Sequence, residues 1–250
     1  MNSLNICVVL VEPQGAGNIG SVARVMKNFG LAELRLVQPR ADYLGREATN
    51  MAVSAVDLLK EARLYGDLAS ALADRNLAVG TTRRFGKYRD ECLLPAEAAA
   101  TLAALPKSSR SAFVFGREDT GLKTAELDLC QRLVTIPAHP DLPSMNLAQA
   151  VAVCLYELFL RGEQGGLPAR QERLPVVGRH LQAMYEHMRQ TLLEVEFLDP
   201  QNPEHLLRTF RRIFDRYGLN EREVRVIRGL LSKIDWLAGR GRGREEGKDG

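Results

Sequence analysis

Apolar residues recur in two rhythms along this 250-residue chain. Up to about residue 160, short runs rich in β-branched and apolar residues alternate with segments of helical period. That alternation predicts an α/β sheet with largely parallel strands. Strands are expected at 4–11, 34–37, 76–80, 111–115 and 132–136, with a shorter one at 63–65. The first helix has the clearest pattern: Asn18 is its expected cap, Ile19, Val22, Ala23 and Met26 follow the i, i+3, i+4, i+7 spacing, and Gly30 stands where a C′ glycine belongs. An alanine-rich helix is expected after Pro95 and a long apolar one from 147 to about 160.

Residues 163–178 mix Gly, Pro and charges without period, which predicts a linker after a sheet domain spanning 1–162. Beyond it the pattern is purely helical over 179–238. Leu181, Met184, Tyr185, Met188 and Leu192 share one face; Leu206, Leu207, Phe210, Ile213, Phe214 and Tyr217 follow Pro203; Val224, Ile227, Leu230, Leu231 and Ile234 form a third stripe. Three helices are few for independent stability, so the extension is expected to pack on the first domain or on another subunit. Residues 239–250 are poor in apolar side chains and are expected to be a disordered tail.

The hydrophobic content of 45% and charged content of 26% are ordinary for a globular chain. No apolar run is long enough to span a membrane, and residues 4–11 lack the basic flank of a signal peptide, so a cytoplasmic location is expected. Cys7, Cys92, Cys130 and Cys154 are widely spaced, and His139, His180, His187 and His205 form no ligand motif, so neither a disulfide framework nor a metal site is expected. The net charge of +3 hides an asymmetry. Ten arginines and one lysine face four acids over 205–244, leaving the rest of the chain net negative. Such a footprint suits phosphate backbones as well as an ordinary solvated helix face.

Gly15-Ala16-Gly17-Asn18-Ile19-Gly20 satisfies GxGxxG between a strand and a helix, the fingerprint of an NAD(P)-binding Rossmann dehydrogenase. Two departures weaken that reading. Glu12-Pro13-Gln14 intervenes before the first glycine, and the second strand ends in Val37-Gln38-Pro39 with no acid for a ribose hydroxyl.

Three blocks point elsewhere. Asn18-Ile19-Gly20-Ser21-Val22-Ala23-Arg24 resembles motif one of the SpoU/TrmH-type RNA 2′-O-methyltransferases of the SPOUT superfamily. Phe115-Gly116-Arg117-Glu118-Asp119-Thr120-Gly121-Leu122 resembles motif two. Ile136-Pro137-Ala138 with Ser144-Met145-Asn146-Leu147-Ala148-Gln149-Ala150 resembles motif three. In the helical extension, Leu207-Arg208-Thr209-Phe210-Arg211-Arg212-Ile213 and Ile227-Arg228-Gly229-Leu230-Leu231 are similar to the TrmJ subgroup. The resemblance implies a trefoil-knotted parallel-sheet domain, a homodimer, S-adenosylmethionine as methyl donor, and tRNA as substrate, at cytidine or uridine 32 of the anticodon loop. It leaves open an rRNA substrate and a non-catalytic RNA-binding protein on the same fold.

The resemblance also distributes roles. Thr81, Thr82, Arg83, Gly116, Ile136, Pro143, Ser144 and Met145 would cradle the cofactor, Ile136 also serving the core. Arg24, the sixth residue after Asn18, lies beside the apolar stripe of its helix. It would anchor a substrate phosphate or accept a proton, and the former suits a guanidinium that is a permanent cation. A surface salt bridge is its bland alternative. Asn18 would cap its helix or position the ribose, and Ser144 and Asn146 would orient the hydroxyl or cap the helix at Leu147. Glu118 would anchor the motif-two loop or pair with an arginine across the subunit interface.

Overall fold

Six strands, all parallel, form one sheet in the computed structural model, which describes residues 5–83, 92–163 and 175–245. In chain order the elements are β1 (Asn5–Val11), α1 (Ala16–Asn28), β2 (Glu33–Val37), α2 (Arg46–Ala52), α3 (Val56–Lys60), β3 (Arg63–Tyr65), α4 (Leu68–Leu72), β4 (Leu77–Thr81), α5 (Pro95–Ala103), β5 (Arg110–Phe115), α6 (Thr124–Leu127), β6 (Arg132–Val134) and α7 (Leu147–Glu163). The strand order is β3-β2-β1-β5-β4-β6. The chain therefore builds outward from β1 on one side, then crosses to the other and returns β5 to the centre. The reversal beside β1 makes the carboxyl ends of β1 and β5 the natural ligand crevice.

Both faces of the sheet are covered, which is why β1 reads as a continuous apolar run rather than an alternation. Ile6, Val8 and Leu10 pack into one core with Ile19, Val22, Ala23 and Met26 of α1 and with Val151, Cys154, Leu155 and Leu158 of α7. Cys7, Val9 and Val11 face the opposite core with Leu68, Leu72 and Leu127. Each of the fully buried Ile19, Val22 and Met26 contributes on the order of 1.5–3 kcal/mol by leaving water. Burial pushes the Cys7 and Cys154 thiols up to about 12, so both remain protonated.

The expected elements are present with shifted ends. Residue 4 lies outside the described residues. The last strand stops at Val134 rather than 136, where its partner β4 ends opposite it at Thr81; Leu93 adds a parallel bridge at Val134, its N–H donating to Leu133 O at 2.8 Å and its O accepting from Thr135 N at 2.9 Å. Gly30 has φ +74 and follows the C-cap Phe29 of α1, as a C′ residue should. One feature the hydrophobic pattern hid is Arg35 in β2, 1% exposed, whose guanidinium bonds Glu33, Asp74 and the Ala71 carbonyl at 2.6–3.0 Å.

The chain divides into two compact units between Leu174 and Pro175. The second contains α8 (Gly178–Glu194), α9 (Glu204–Tyr217) and α10 (Glu221–Glu245). Leu181, Met184, Tyr185 and Met188 of α8 pack against Leu207, Phe210 and Phe214 of α9 and Val224, Ile227 and Leu231 of α10. Leu206, Ile213 and Leu230, expected on the inner faces, are exposed instead, because each lies a helical step of about 100° from the residue that makes the contact. His180 and His187 pair at 2.8 Å with Glu221 and Asp235 on α10. Most of the expected linker, 164–174, lies outside the described residues. Of the tail expected to be disordered, 239–245 belong to α10, which runs through Glu245, and 246–250 lie outside the described residues. Among the described residues no helix is long and apolar enough to cross a membrane.

Candidate active site at the carboxyl ends of the strands

All six parallel strands end on the same side of the sheet, and the site is built from the loops after β1, β4, β5 and β6. The turn after β1 begins α1, and its N-cap is Gly15 rather than Asn18. Asn18 is the third helical residue, and its carboxamide points across the turn. Its Nδ2 donates to Glu118 Oε1 at 3.0 Å and its Oδ1 accepts from Asn146 Nδ2 at 2.9 Å. One side chain thus joins the loops after β1, β5 and β6.

The partners fix which way each amide points. An ionised carboxylate only accepts, so Asn18 must turn its NH2 to Glu118 and its oxygen to Asn146. Asn146 in turn aims its own oxygen at the start of α7, where Oδ1 accepts from Ala148 N at 2.9 Å and Gln149 N at 3.4 Å. Asn146 is therefore the cap of that helix as well as a member of the chain of amides. Glu118 also accepts from the backbone of Gln14 and Gly15, both at 3.0 Å. Burial opposes its ionisation, but the bonds from Asn18, Gln14 and Gly15 outweigh it, and its carboxyl titrates below the usual range.

This arrangement also decides the glycine loop. The amides of Gln14 and Gly15, just ahead of α1, are taken by the Glu118 carboxylate, whose charge repels a phosphate at this end of the glycine loop. Gly20 serves packing: a β-carbon there would lie 2.0 Å from the Ala48 carbonyl oxygen of α2.

All eight residues expected to cradle a cofactor, Thr81, Thr82, Arg83, Gly116, Ile136, Pro143, Ser144 and Met145, line one cleft, along with Glu118. A β-carbon on Gly116 would sit 2.1 Å from the Gly121 carbonyl carbon, so only glycine lets the loop after β5 fold back on itself. Thr81 Oγ1 donates to Val114 O at 3.1 Å and Thr82 N to Val134 O at 2.9 Å, tying the β4 end to both neighbours. Ser144 is exposed at the cleft rim. Arg24 is exposed on α1; neither it, Asn18 nor Asn146 belongs to the cleft lining.

The sequence reading passed over Arg117 and Glu12. Arg117, 6% exposed, lines the cleft and grips Glu126 with both terminal nitrogens at 2.8 and 3.0 Å. It also donates to Glu12, which adopts φ +46 as the chain leaves β1. The bond from Arg117 holds the Glu12 carboxyl at about 2, with Arg40 adding to the effect against desolvation. The available signal was an acid just past β1 together with an arginine just past β5, strands that turn out to be neighbours.

Comparison with known proteins follows the same division of the chain. Residues 5–156 match the SpoU rRNA methylase family and residues 179–246 the C-terminal domain of the tRNA methyltransferase TrmJ. The chain belongs to the SpoU methylase family. It is 37% identical over 244 residues to the tRNA (cytidine/uridine/adenosine-2′-O-)-methyltransferase TrmJ of Pseudomonas aeruginosa, covering 93% of this chain and 95% of that protein. It is also 37% identical over 233 residues to the tRNA (cytidine/uridine-2′-O-)-methyltransferase TrmJ of Pectobacterium atrosepticum, covering 92% and 96%. The crystal structure of TrmJ from Z. mobilis superposes with a TM-score of 0.79 at 32% identity, covering 92% of this chain and 98% of that one. These matches place it in the TrmJ subgroup of SpoU methylases, a family of methyltransferase enzymes.

Proposed function

We propose that this protein is a cytoplasmic homodimer that transfers the methyl group of S-adenosylmethionine to the ribose 2′-hydroxyl of C32 or U32 in the tRNA anticodon loop. The observation that carries the reading is the joining of three separated loops by Asn18, with Glu118 on one side and Asn146 on the other, beside a cleft lined by the expected cradle. In this reading 1–162 is the methyltransferase domain, with the loops after β5 and β6 as the crossings of a trefoil knot, 163–178 is a linker and 179–238 a basic extension for tRNA.

The cleft suits such a cofactor. Leu122, Ile136 and Met145 offer apolar wall for a flat base, and the tight turn at Gly116 brings main-chain groups within reach of polar atoms. When bound there, S-adenosylmethionine supplies an electrophilic methyl group on sulfur. The protein's own task is to bring the ribose oxygen into line and ease the loss of its proton. Arg24, exposed on α1, anchors a substrate phosphate and stabilises developing negative charge. Asn18 and Asn146 hold the loops in register, and Ser144 at the rim offers a hydroxyl to the ribose.

The test is methyl transfer from labelled S-adenosylmethionine to unmodified tRNA and rRNA, with nuclease mapping of the product. Label on the 2′-oxygen of nucleotide 32 is expected. Label confined to rRNA, or none on either RNA, overturns the proposal.

A further inference from the structure

Glu12 holds two arginines with one carboxylate, and the two have opposite surroundings. Oε1 accepts from Arg117, whose guanidinium is buried under the loop after β5 and has Glu126 as a second partner. Oε2 accepts from Nη2 of Arg40, in the segment that follows β2. Among the described residues Glu12 is the acid that pairs with Arg40. The Arg40 side chain is 59% exposed and that of Glu12 only 11%, so a buried anchor presents a cation to solvent. The backbone is tied to the same turn, Arg40 N donating to Pro13 O at 3.0 Å. A third cation, Lys123, is 64% exposed with its Nζ 3.7 Å from Glu12 Oε1. Arg117, Arg40 and Lys123 together exceed Glu12 and Glu126 by one positive charge.

An ordinary surface arginine samples many rotamers and loses that freedom when it binds an anion. Arg40 is already fixed through one terminal nitrogen, leaving its other donors for a second acceptor. Its anchor also bonds Arg117, a residue of the cleft lining, so one carboxylate links the exposed guanidinium, itself outside the cleft lining, to the loop that walls the cleft. We infer that Arg40 binds a backbone phosphate of the substrate RNA, and that Glu12 is the positioning residue that aims it. This rests on the RNA-methyltransferase reading above and adds a contact to it.

The experiment uses the full chain. Retention of tRNA on filters without cofactor, and steady-state methyl transfer, are measured from about 50 to about 200 mM salt for the parent and for Arg40→Gln, Arg40→Lys and Glu12→Gln. Loss of one phosphate contact reduces the slope of log affinity against log salt by about 0.7–0.9. Arg40→Gln is expected to show that reduction and a several-fold higher KM for tRNA, with kcat and cofactor KM unchanged, and Arg40→Lys to restore most of the slope. Glu12→Gln is expected to raise the tRNA KM, and adding Arg40→Gln to it to raise the KM no further. An unchanged salt slope in Arg40→Gln, or additive effects in the double variant, overturns the inference. If the parent binds tRNA but transfers no methyl group, the functional reading fails while the slope still decides the phosphate site.

Discussion

Asn18 serves two loops through a single amide, and its neighbours leave no freedom in which atom faces which. From the sequence it looked like a helix cap, because the residues it touches, Glu118 and Asn146, lie 100 and 128 positions away. Local pattern finds caps and stripes; it does not find a partner across the fold. Glu118 is the fixed point of this chain of bonds, since its carboxylate accepts from three donors, Gln14 N, Gly15 N and Asn18 Nδ2. Replacing it with glutamine turns an acceptor into a donor facing other donors. Glu118→Gln is therefore expected to cost about 1–3 kcal/mol of stability in denaturant unfolding and to lower turnover, whereas Glu118→Asp should retain part of both. Arg24 sits outside this scaffold. Arg24→Ala is expected to reduce methyl transfer by at least about 100-fold, the scale of a lost charge-stabilising contact, while leaving cofactor affinity by calorimetry and melting temperature unchanged; near-normal turnover would remove Arg24 from the mechanism.

At the level of elements, strands and long helices were legible because burial imposes their period. Every residue expected on the inner face of α1 is fully buried, and β1, β2, β4 and β5 begin or end within a residue of the expected positions, apart from residue 4, which lies outside those described. Loops were legible only through family resemblance, since their shape depends on contacts made after folding. Gly116 shows why. Nothing in the local pattern says that the chain must double back so that Gly121 sits where a side chain would be. Gly116→Ala places a β-carbon 2.1 Å from backbone carbon, and backbone cannot move aside as a flexible side chain would. The loop between β5 and α6 must shift, taking Glu118 and part of the cleft with it. The expected result is a more than about tenfold loss of S-adenosylmethionine affinity in calorimetry, equivalent to at least about 1.4 kcal/mol, with far-ultraviolet circular dichroism retained because the strands are untouched. Cofactor binding equal to the parent's would show that this loop does not shape the site.

Across the sheet domain, buried charge is concentrated at both ends of the strands. At the amino ends, Arg35 and Arg75 share Glu33 and Asp74 at 2.6–3.1 Å; at the carboxyl ends, Arg117 joins Glu12 and Glu126. Neither cluster was visible in net charge, which records totals and not neighbours. Both make the fold sensitive to acid, and in the same direction. Burial opposes ionisation of Asp74, Glu118 and Glu126, but hydrogen bonds prevail in all three, joined by nearby cations at Asp74 and Glu126, so each titrates below its ordinary range. Glu12, held chiefly by Arg117, falls from 4.5 to about 2. A carboxyl whose pKa is lower in the folded state than in the unfolded one favours folding only while ionised. For Glu12 that contribution is complete above about pH 4.5 and is lost as pH falls through about 2. Removing these charges also leaves Arg35, Arg75 and Arg117 buried without counterions, which is costlier than never having buried the pairs. The melting temperature is therefore expected to stay level from pH 7 to about pH 5 and to drop steeply below about pH 4.5, as followed by circular dichroism. Glu12→Gln should lower it at neutral pH and make the acid drop shallower, because one of the titrating groups is gone. A profile as steep in Glu12→Gln as in the parent would mean that acid acts through the amino-end cluster alone, leaving the active-site end of the sheet intact until the other end has failed.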